Sequence, residues 1–298
     1  MAEALSDLPT QHPRDVVRAL VGALPYVQRW AGQIVVVKVG GAMMGSAAQL
    51  DVVCQDLVML RAVGVKVVLV HGGGPAVSDM GRRLGLETTF VDGLRVTDDE
   101  TMRVAQLVQI GGISRDLIGG ISRSGGRGVG LAGHDGGGWL RGQIRRHVSR
   151  ATGEVVDLGR VGDIVRVDTE LLLAQVAAGF IPVIAPVAVD DDFRPLNVNA
   201  DTVASKVAGA LGAPRLLFMS DVEGIRGPAG FVSEVDAATL HEWIVSGIVS
   251  GGMVPKVEAC LEALTAGVPR VSIMDGRVEH AALLELLTDA GAGTLVVP

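Results

Sequence analysis

Two kinds of hydrophobic segment alternate along the chain. Short runs rich in Val, Ile and Leu end at glycines or polar residues, over 34–39, 65–70, 181–187, 215–219 and 271–274. Most of them are separated by longer segments with apolar residues at helical spacing, over 50–63, 75–84, 200–211 and 256–266. Strands that alternate with helices are typical of a doubly wound sheet. The pattern therefore predicts an α/β fold, with 155–167 inserted as a polar hairpin or a pair of edge strands.

An amphipathic helix is predicted ahead of the first strand, over 13–30. Its apolar residues repeat at helical spacing: Val17, Leu20, Val21, Leu24 and Val27. Pro13 suits the first helical position, and Pro25 predicts a kink or a break after Leu24. The apolar face has two interpretations. It packs on its own domain, or it is an arm buried against another subunit.

The longest apolar stretch, 171–189, is interrupted by Gly179 and two prolines. These breaks favour a helix, a turn and a buried strand over a membrane span. The first residues carry acids and prolines where a signal peptide has a basic start and an apolar run. Cys54 and Cys260 are too few for a disulfide framework or a zinc cluster, and they are interpreted as reduced core residues. We therefore expect a cytoplasmic protein with no membrane partner.

Composition and charge limit the possible partners. Hydrophobic residues make up 48% of the chain and aromatics only 3%, so aliphatic side chains build the core, as in a buried parallel sheet. The net charge of -7 argues against a nucleic-acid partner. A small anionic substrate would then need local positive charge.

Two glycine-rich turns follow predicted strands. Lys38 lies one residue before the end of the first strand, and Gly40 and Gly41 follow it. Glycines 72–74 precede a proline at a helix start, where free N–H groups and the helix dipole attract an anion. Neither turn matches a Walker or a dinucleotide motif. Together they favour phosphate chemistry at the carboxyl edge of the sheet, whereas His71 is interpreted as a histidine bonded to backbone.

Further motifs follow downstream: GLRVT at 93–97, NVNAD at 197–201, LFMSDVEG at 217–224 and GGMVPKVEA at 251–259. Together with KVGG at 38–41 and HGGGP at 71–75, these motifs make six. The order and spacing of the six resemble the acetylglutamate kinase branch of the amino-acid kinase family over nearly the whole chain. The resemblance implies a three-layer αβα sandwich with a mostly parallel central sheet. It implies ATP-dependent phosphorylation of the side-chain carboxylate of N-acetyl-L-glutamate in arginine biosynthesis. An N-terminal lobe at 31–195 would bind substrate and dimerise, and a C-terminal lobe at 196–298 would bind ATP.

By motif match, the resemblance assigns residues to three roles. Catalysis would involve Lys38, Lys256 and Asp201, with Asp201 orienting the two lysines. The substrate would be held by Gly73, Gly74, Arg95 and Asn197. The phosphates or the nucleotide would lie near Gly40, Gly41, Ser220 and Asp221. Mg²⁺ would be carried by the ATP, and no metal site on the protein is implied.

General chemistry agrees with these roles. A glutamate-type carboxylate has a pKa of about 4.3 and is ionised at neutral pH, so the reaction needs no general base. The remaining task is to bring two anions together, which two lysines and backbone amides can do. Each residue also has a plainer interpretation: Arg95 in a surface ion pair, Asp201 as a helix cap, Lys256 as a solvated helix lysine. The order of the motifs favours the catalytic one.

A second resemblance concerns regulation. The segments GALPYVQRWAGQ, before the first strand, and MDGRVEHAALLELLTDAGAGTLV, near the end, are similar to the arginine-inhibited subgroup. In that subgroup, N-terminal helices interlace three dimers into a hexamer, and arginine binds between that helix and the C-terminal lobe. Residues 1–30 would then form the arm. The implied effector residues are Tyr26, His280, Glu285 and Gly293.

The chain also departs from the resemblance. His134 stands where relatives often carry lysine, Trp139 is unexpected, and the loop after Gly224 is short. Two alternatives therefore stay open. The chain is a related kinase of another N-blocked acidic amino acid, for instance an aminoadipate derivative, or it is a non-catalytic arginine-sensing subunit.

Overall fold

This computed structural model describes residues 12–298, which contain eleven α-helices and eighteen strands joined by turns and loops. The helices are α1 Pro13–Trp30, α2 Ala47–Ala62, α3 Gly74–Arg83, α4 Asp99–Gln106, α5 Ser114–Arg123, α6 Asp135–Gly138, α7 Glu170–Ala177, α8 Ala200–Ala210, α9 Ala237–Val245, α10 Met253–Thr265 and α11 Ala281–Leu287. A 3₁₀ turn at Gly41–Gly45 and a π-helical segment at Leu107–Ile113 complete the helical elements.

The strands are β1 Ile34–Val39, β2 Lys66–His71, β3 Phe90–Val91, β4 Leu94–Arg95, β5 Gly128–Leu131, β6 Leu140–Ile144, β7 His147–Val148, β8 Val155–Val156, β9 Gly162–Val167, β10 Ile181–Ile184, β11 Val187–Val189, β12 Pro195–Asn197, β13 Arg215–Ser220, β14 Arg226–Gly227, β15 Gly230–Phe231, β16 Glu234–Asp236, β17 Val271–Asp275 and β18 Gly293–Val297. Eight of them form the central sheet, in the order β16-β18-β17-β13-β1-β2-β10-β5. Every neighbouring pair in it is parallel except β17 with β18.

Helices cover both faces of this sheet. Successive residues of β1 point to opposite sides, so Val36 packs with α8 and α10 residues, whereas Val35 and Val37 pack with α2, α5 and α11 residues. The side chains of both layers are almost entirely aliphatic. The predicted three-layer αβα sandwich with a mostly parallel sheet is therefore confirmed.

A second sheet corrects two details of the predicted strands. The segment 181–187 is not one strand: β10 belongs to the central sheet, and β11 to a four-stranded sheet in the order β12-β11-β6-β9. Pro186 lies between them and has no N–H group for a ladder. The segment 155–167 is not a hairpin, because its two strands do not pair with each other. The alternative prediction, a pair of edge strands, is confirmed. β8 pairs with β7 and β9 with β6, both antiparallel.

Of the kink or break predicted after Leu24, the break is excluded, because helix α1 continues through Pro25 to Trp30. A proline removes a single backbone hydrogen bond, and here the last turn is fixed from outside. The indole nitrogen of Trp30 donates to the carbonyl of Leu286 at 2.9 Å. No residue of α1 is buried, and the predicted apolar face is exposed except at the half-buried Val27, with Leu20 at 62%. Residues 1–11 of the predicted arm lie outside the described residues.

The apolar stretch 171–189 folds as predicted. Helix α7 is followed by a turn at Gly179, whose φ of +87° favours glycine, and then by the buried strand β10. In residues 12–298, no helix is long and apolar enough to cross a membrane. Cys54 and Cys260 are both buried and free.

The central sheet is continuous across the position where the two lobes were predicted to meet. Strands β1, β2, β5 and β10 precede residue 195, and β13, β16, β17 and β18 follow it. The two sets join through the β1 and β13 pair, from Val35 opposite Arg215 to Val39 opposite Met219. The functional division at 195 stays a prediction.

Candidate active site

Lys38 lies at the centre of the sheet's carboxyl edge. On one side it is in register with Val70 of β2, and on the other with Phe218 of β13. The loops after these three strands therefore leave the sheet side by side. Backbone hydrogen bonds connect them: Gly72 N–H donates to Val39 O, and Gly40 N–H to Met219 O, both at 2.9 Å. The two predicted glycine turns are thus neighbours in space.

The two turns approach so closely that a side chain would not fit between them. A Cβ on Gly72 would lie 2.9 Å from the backbone nitrogen of Gly41, and a Cβ on Gly41 would lie 2.9 Å from Pro75 Cδ. Helix α3 starts from this contact, and its N-cap residue, Gly73, provides no side-chain cap. Its first amides are therefore free to bind an anion from a ligand.

Two lysines from distant parts of the chain meet at this edge. Lys38, Lys256 and Asp201 line one small cavity together with Ser220. Lys38 Nζ lies 2.7 Å from Asp201 Oδ1, and Lys256 Nζ lies 3.2 Å from Asp221 Oδ1. Asp201, expected to orient both lysines, is thus paired with Lys38, and Asp221 is the partner of Lys256. The hydrogen bond from Lys256 lowers the pKa of Asp221.

A larger cavity of about 270 Å³ opens on the other side of Lys38. Its lining includes every residue predicted to hold the substrate: Gly73, Gly74, Arg95 and Asn197. Apolar side chains such as Phe90, Leu94 and Val161 form much of the remaining wall. Among the lining residues only Lys38 and Arg95 are charged, and both are positive. This larger cavity therefore suits a small anion, and we call it the anion cavity. Lys38 connects it with the small cavity that contains Lys256.

Arg95 is held rigidly in the wall of this cavity. It is 8% exposed, and its Nη2 donates to Gly74 O at 2.8 Å and to Ser78 Oγ at 2.7 Å. Its guanidinium also lies over the Phe90 ring, 4.8 Å from the centroid. Burial lowers its pKa, yet an arginine stays protonated at neutral pH. In residues 12–298 it forms no ion pair, so the plainer interpretation as a surface ion pair is wrong.

The NVNAD motif lines both cavities: residues 197–200 line the larger one and Asp201 the smaller one. Asn197, at the end of β12, lines the larger cavity and donates through Nδ2 to Thr97 Oγ1 at 3.1 Å. Asn199 caps helix α8 by accepting from Asp201 N–H at 2.8 Å. Asp201 is therefore not the helix cap, and its carboxylate is available to Lys38. The plainer interpretation assigned the cap to the wrong member of the motif.

His71 supports the glycine turn and is not exposed to a ligand. It is fully buried, with Nδ1 2.9 Å from Gly72 O and Nε2 2.8 Å from Ser114 Oγ. Burial lowers its pKa to about 4, so it is neutral near pH 7. These contacts agree with the prediction of a histidine bonded to backbone and with a reaction that needs no base.

The residues predicted to bind an effector separate into two groups. Glu285 and Gly293 line a third cavity, of about 250 Å³, between α1 and the C-terminal end of the chain. Tyr26 lies near it, where a hydrogen bond with Asp289 raises the pKa of the phenol. His280 is not in the lining: its Nδ1 lies 2.6 Å from Asp56 Oδ1.

Most of the charged residues around this third cavity were not predicted from the sequence. Its basic and acidic lining residues are Arg29, Arg215, Arg270, Glu234, Glu285 and Asp289. The Glu285 carboxylate already accepts from Arg215, from Ser272 Oγ at 2.6 Å and from Ala292 N–H at 2.7 Å. Charged residues at strand ends are common, and nothing in their spacing indicated that they converge.

The two unexpected residues of the middle segment lie outside both cavities of the candidate site. Trp139 is buried and donates from its indole nitrogen to Ala132 O at 2.8 Å. His134 Nε2 lies 3.1 Å from Phe193 O. The short loop after Gly224 forms the β14 and β15 hairpin. Within residues 12–298, no group of three or more His, Cys, Asp or Glu side chains is arranged to hold a metal ion.

Comparisons with known proteins agree with this geometry. Residues 33–275 match the family model described as the amino acid kinase family. An acetylglutamate kinase of Symbiobacterium thermophilum is 47% identical over 291 residues, 96% of this chain and 99% of that one. An acetylglutamate kinase of Methanothrix thermoacetophila is 44% identical over 283 residues, 94% of this chain and 97% of that one.

Among solved structures, the N-acetylglutamate synthase of Neisseria gonorrhoeae, complexed with coenzyme A and N-acetyl-glutamate, has a similar fold. Its TM-score is 0.83 at 24% sequence identity. The similarity covers 95% of this chain and only 63% of the synthase chain. At that identity the likeness concerns the fold alone.

Proposed function

The chain belongs to the amino acid kinase family, and from this premise we propose that it transfers the γ-phosphoryl group of ATP to the side-chain carboxylate of N-acetyl-L-glutamate, forming N-acetyl-L-glutamyl 5-phosphate in arginine biosynthesis. One observation carries the proposal: Lys38 lines both the anion cavity and the small cavity that contains Lys256. A carboxylate in the first and a phosphate beside the second would meet at Lys38. Sequence identities of 47% and 44% to two acetylglutamate kinases, over nearly the full length of the chain, support the choice of acid.

The charge of the anion cavity favours an N-acylated acid over a free amino acid. N-acetylglutamate presents two carboxylates and a neutral amide, whereas glutamate adds an ammonium group. No acidic side chain lines the cavity, so an ammonium there would be unpaired beside Arg95 and Lys38. Taking a charge out of water without a partner is costly. Acylation removes that cost.

Arg95 is the proposed partner of the α-carboxylate. Both of its hydrogen bonds within the protein use Nη2, which leaves the Nη1 and Nε donors for a ligand. A guanidinium binds a carboxylate in a defined plane through paired donors. Asn197 and the amides of Gly73 and Gly74 are the proposed contacts to the rest of the substrate.

The chemical step then consists of positioning and charge neutralisation. A side-chain carboxylate oxygen forms a bond to the γ-phosphorus, and the bond from that phosphorus to the β–γ bridging oxygen breaks, so ADP leaves. Lys38, oriented by Asp201, and Lys256 would stabilise the charge that the phosphoryl oxygens carry. One such contact at about 4 Å gains roughly 4 kcal/mol at an effective dielectric of 20.

Gly40, Gly41, Ser220 and Asp221 are the proposed neighbours of the nucleotide phosphates. Ser220 ends β13, and the others directly follow β1 or β13 at the same edge of the sheet. Mg²⁺ is proposed to arrive with the ATP and to neutralise part of the phosphate charge. Two buried, free cysteines suit the reducing cytoplasm, where we propose that the protein acts.

A coupled assay of ADP release tests the proposed function. We expect turnover with N-acetyl-L-glutamate, and a kcat/KM at least about 100-fold lower with free glutamate because of the unpaired ammonium. N-acetyl-aminoadipate is the third substrate. If the longer acid is preferred, the chain is the related kinase of another N-blocked acid. If none of the three is phosphorylated, the non-catalytic sensor is the better interpretation.

Arginine inhibition is a second part of the proposal. The cavity beside α1 is lined by three arginines and three acids. Arg215 and Glu285 pair with each other, which leaves Arg29 and Arg270 for the carboxylate and Glu234 and Asp289 for the cationic groups of a free arginine. Helix α1 forms part of its wall through Arg29 and Trp30. Within residues 12–298, the same helix exposes an apolar face that includes Val17, Leu20 and Val21. We propose that this face packs against a second copy and builds a hexamer from dimers.

Removing residues 1–30 tests both regulatory ideas. We expect light scattering to give a hexamer for the full chain and a dimer for the shortened one, because the apolar face of α1 is gone. Arginine inhibition should be lost as well, since Arg29 and Trp30 no longer line the cavity. Dimers from both chains would exclude the arm, and inhibition that survives the truncation would exclude this cavity as the arginine site.

A further inference from the structure

Gln109 lies in the wall of the anion cavity with an unused hydrogen-bonding group. The residue is 5% exposed and lines the cavity beside Gly73, Gly74 and Arg95. Its Oε1 is buried and has no hydrogen-bond partner among residues 12–298. Buried polar atoms in proteins are nearly always bonded, so an atom left without a partner at a cavity wall indicates a missing ligand group.

The backbone places this side chain firmly. Gln109 belongs to the π-helical segment between α4 and α5, and such segments are frequent at functional sites. Its carbonyl accepts from Ser114 Oγ at 3.0 Å, and Ser114 also bonds to His71 below the glycine turn. The side chain packs on that turn, since a Cβ on Gly73 would lie 3.2 Å from Gln109 Cγ. The carboxamide is thus held against the proposed substrate contacts.

The chemistry of the cavity identifies the group that Gln109 meets. Two carboxylates of the proposed substrate are assigned to two cations, Arg95 and Lys38. The acylamino group is the remaining polar part, and it is neutral, with one N–H donor and one carbonyl acceptor. A carboxamide is neutral too, and turning it over exchanges its donor and acceptor sides. Neutral polar groups of this kind match without burying an extra charge.

We propose that Gln109 is a specificity-determining residue that hydrogen-bonds the acylamino group of the substrate. The inference rests on the proposed function, because it takes an N-acylated dicarboxylate as the occupant of the cavity. It adds a residue that no sequence motif indicated. Gln109 does not contact the transferring phosphoryl group, so its effect falls on binding and selectivity.

The test compares Gln109→Leu with the wild type on two ligands that differ only in the acylamino group. One is N-acetyl-L-glutamate, measured by its KM, and the other is glutarate, measured by its Ki as a competitive inhibitor. We expect the KM to rise about 5- to 15-fold and the Ki of glutarate to stay within about twofold, as for one lost hydrogen bond. The matched control is Gln106→Leu, the same change at the last residue of α4 and outside the cavity lining, which should alter neither value.

Other results would overturn the inference. An unchanged KM in Gln109→Leu would show that the carboxamide makes no contact with substrate. An equal rise in the KM and in the Ki of glutarate would show that the residue only supports the shape of the cavity. Failure of the proposed function is distinguishable from both, since it would appear as a wild type without turnover on N-acetyl-L-glutamate.

Discussion

Replacing Lys256 by alanine is expected to lower kcat by about two to three orders of magnitude, the usual loss when one preorganised electrostatic contact to a transition state is removed. The lysine reaches the small cavity from helix α10, opposite Lys38 on β1. The KM for N-acetyl-L-glutamate should change little, because Lys256 does not line the anion cavity. Single-turnover and steady-state measurements of ADP release would give both values.

The fold should survive this change. Lys256 is 27% exposed, and its ion pair with Asp221 is partly solvated, so its loss costs at most about 1 kcal/mol of stability. A matched control is Lys206→Ala, which removes a different lysine ion pair. Lys206 Nζ on α8 lies 3.4 Å from Glu262 Oε1 on α10, and neither residue lines either cavity. The control should retain full turnover. If Lys256→Ala retained near-normal kcat as well, Lys256 would have no place in the mechanism.

Much of this site could be predicted from the sequence because it lies where strands end. The residues after β1, β2 and β13 are read directly from hydrophobic runs followed by glycines or polar residues. Parallel strands bring their carboxyl ends to one edge, so three stretches far apart in sequence become neighbours in space. Lys38 and the turn at 72–74 were therefore identified by strand periodicity and the glycines that follow.

Pairings between side chains could not be predicted in the same way. Asn199 and Asp201 are both good helix caps, and the actual cap depends on where α8 begins. The partner of Lys256 depends on how α10 packs against α8 and β17, which no local pattern encodes. Gln109 gave no signal because its helix has a π-helical segment, which shifts the face that a regular helix would present.

Chemical identity at one position matters as much as charge, and Arg95 is the clearest case. Arg95→Lys keeps the positive charge but loses the planar, forked donor set. A lysine has a single ammonium group. It cannot donate to Gly74 O and Ser78 Oγ and at the same time bind a carboxylate in a fixed plane. We expect the KM for N-acetyl-L-glutamate to rise about 10- to 100-fold, as for a lost charge-assisted hydrogen bond, with kcat and the KM for ATP near normal.

A second stacked arginine, Arg127, provides a control that separates recognition from packing. Arg127 lies over the Phe180 ring at 4.0 Å, much as Arg95 lies over Phe90, but it is exposed and outside the cavity. Arg127→Lys should therefore leave all kinetic constants unchanged. An Arg95→Lys variant with a lower melting temperature but an unchanged KM would mean that Arg95 supports the β3 and β4 hairpin and does not bind substrate. A raised KM in a variant that melts normally would instead support its role as the carboxylate anchor.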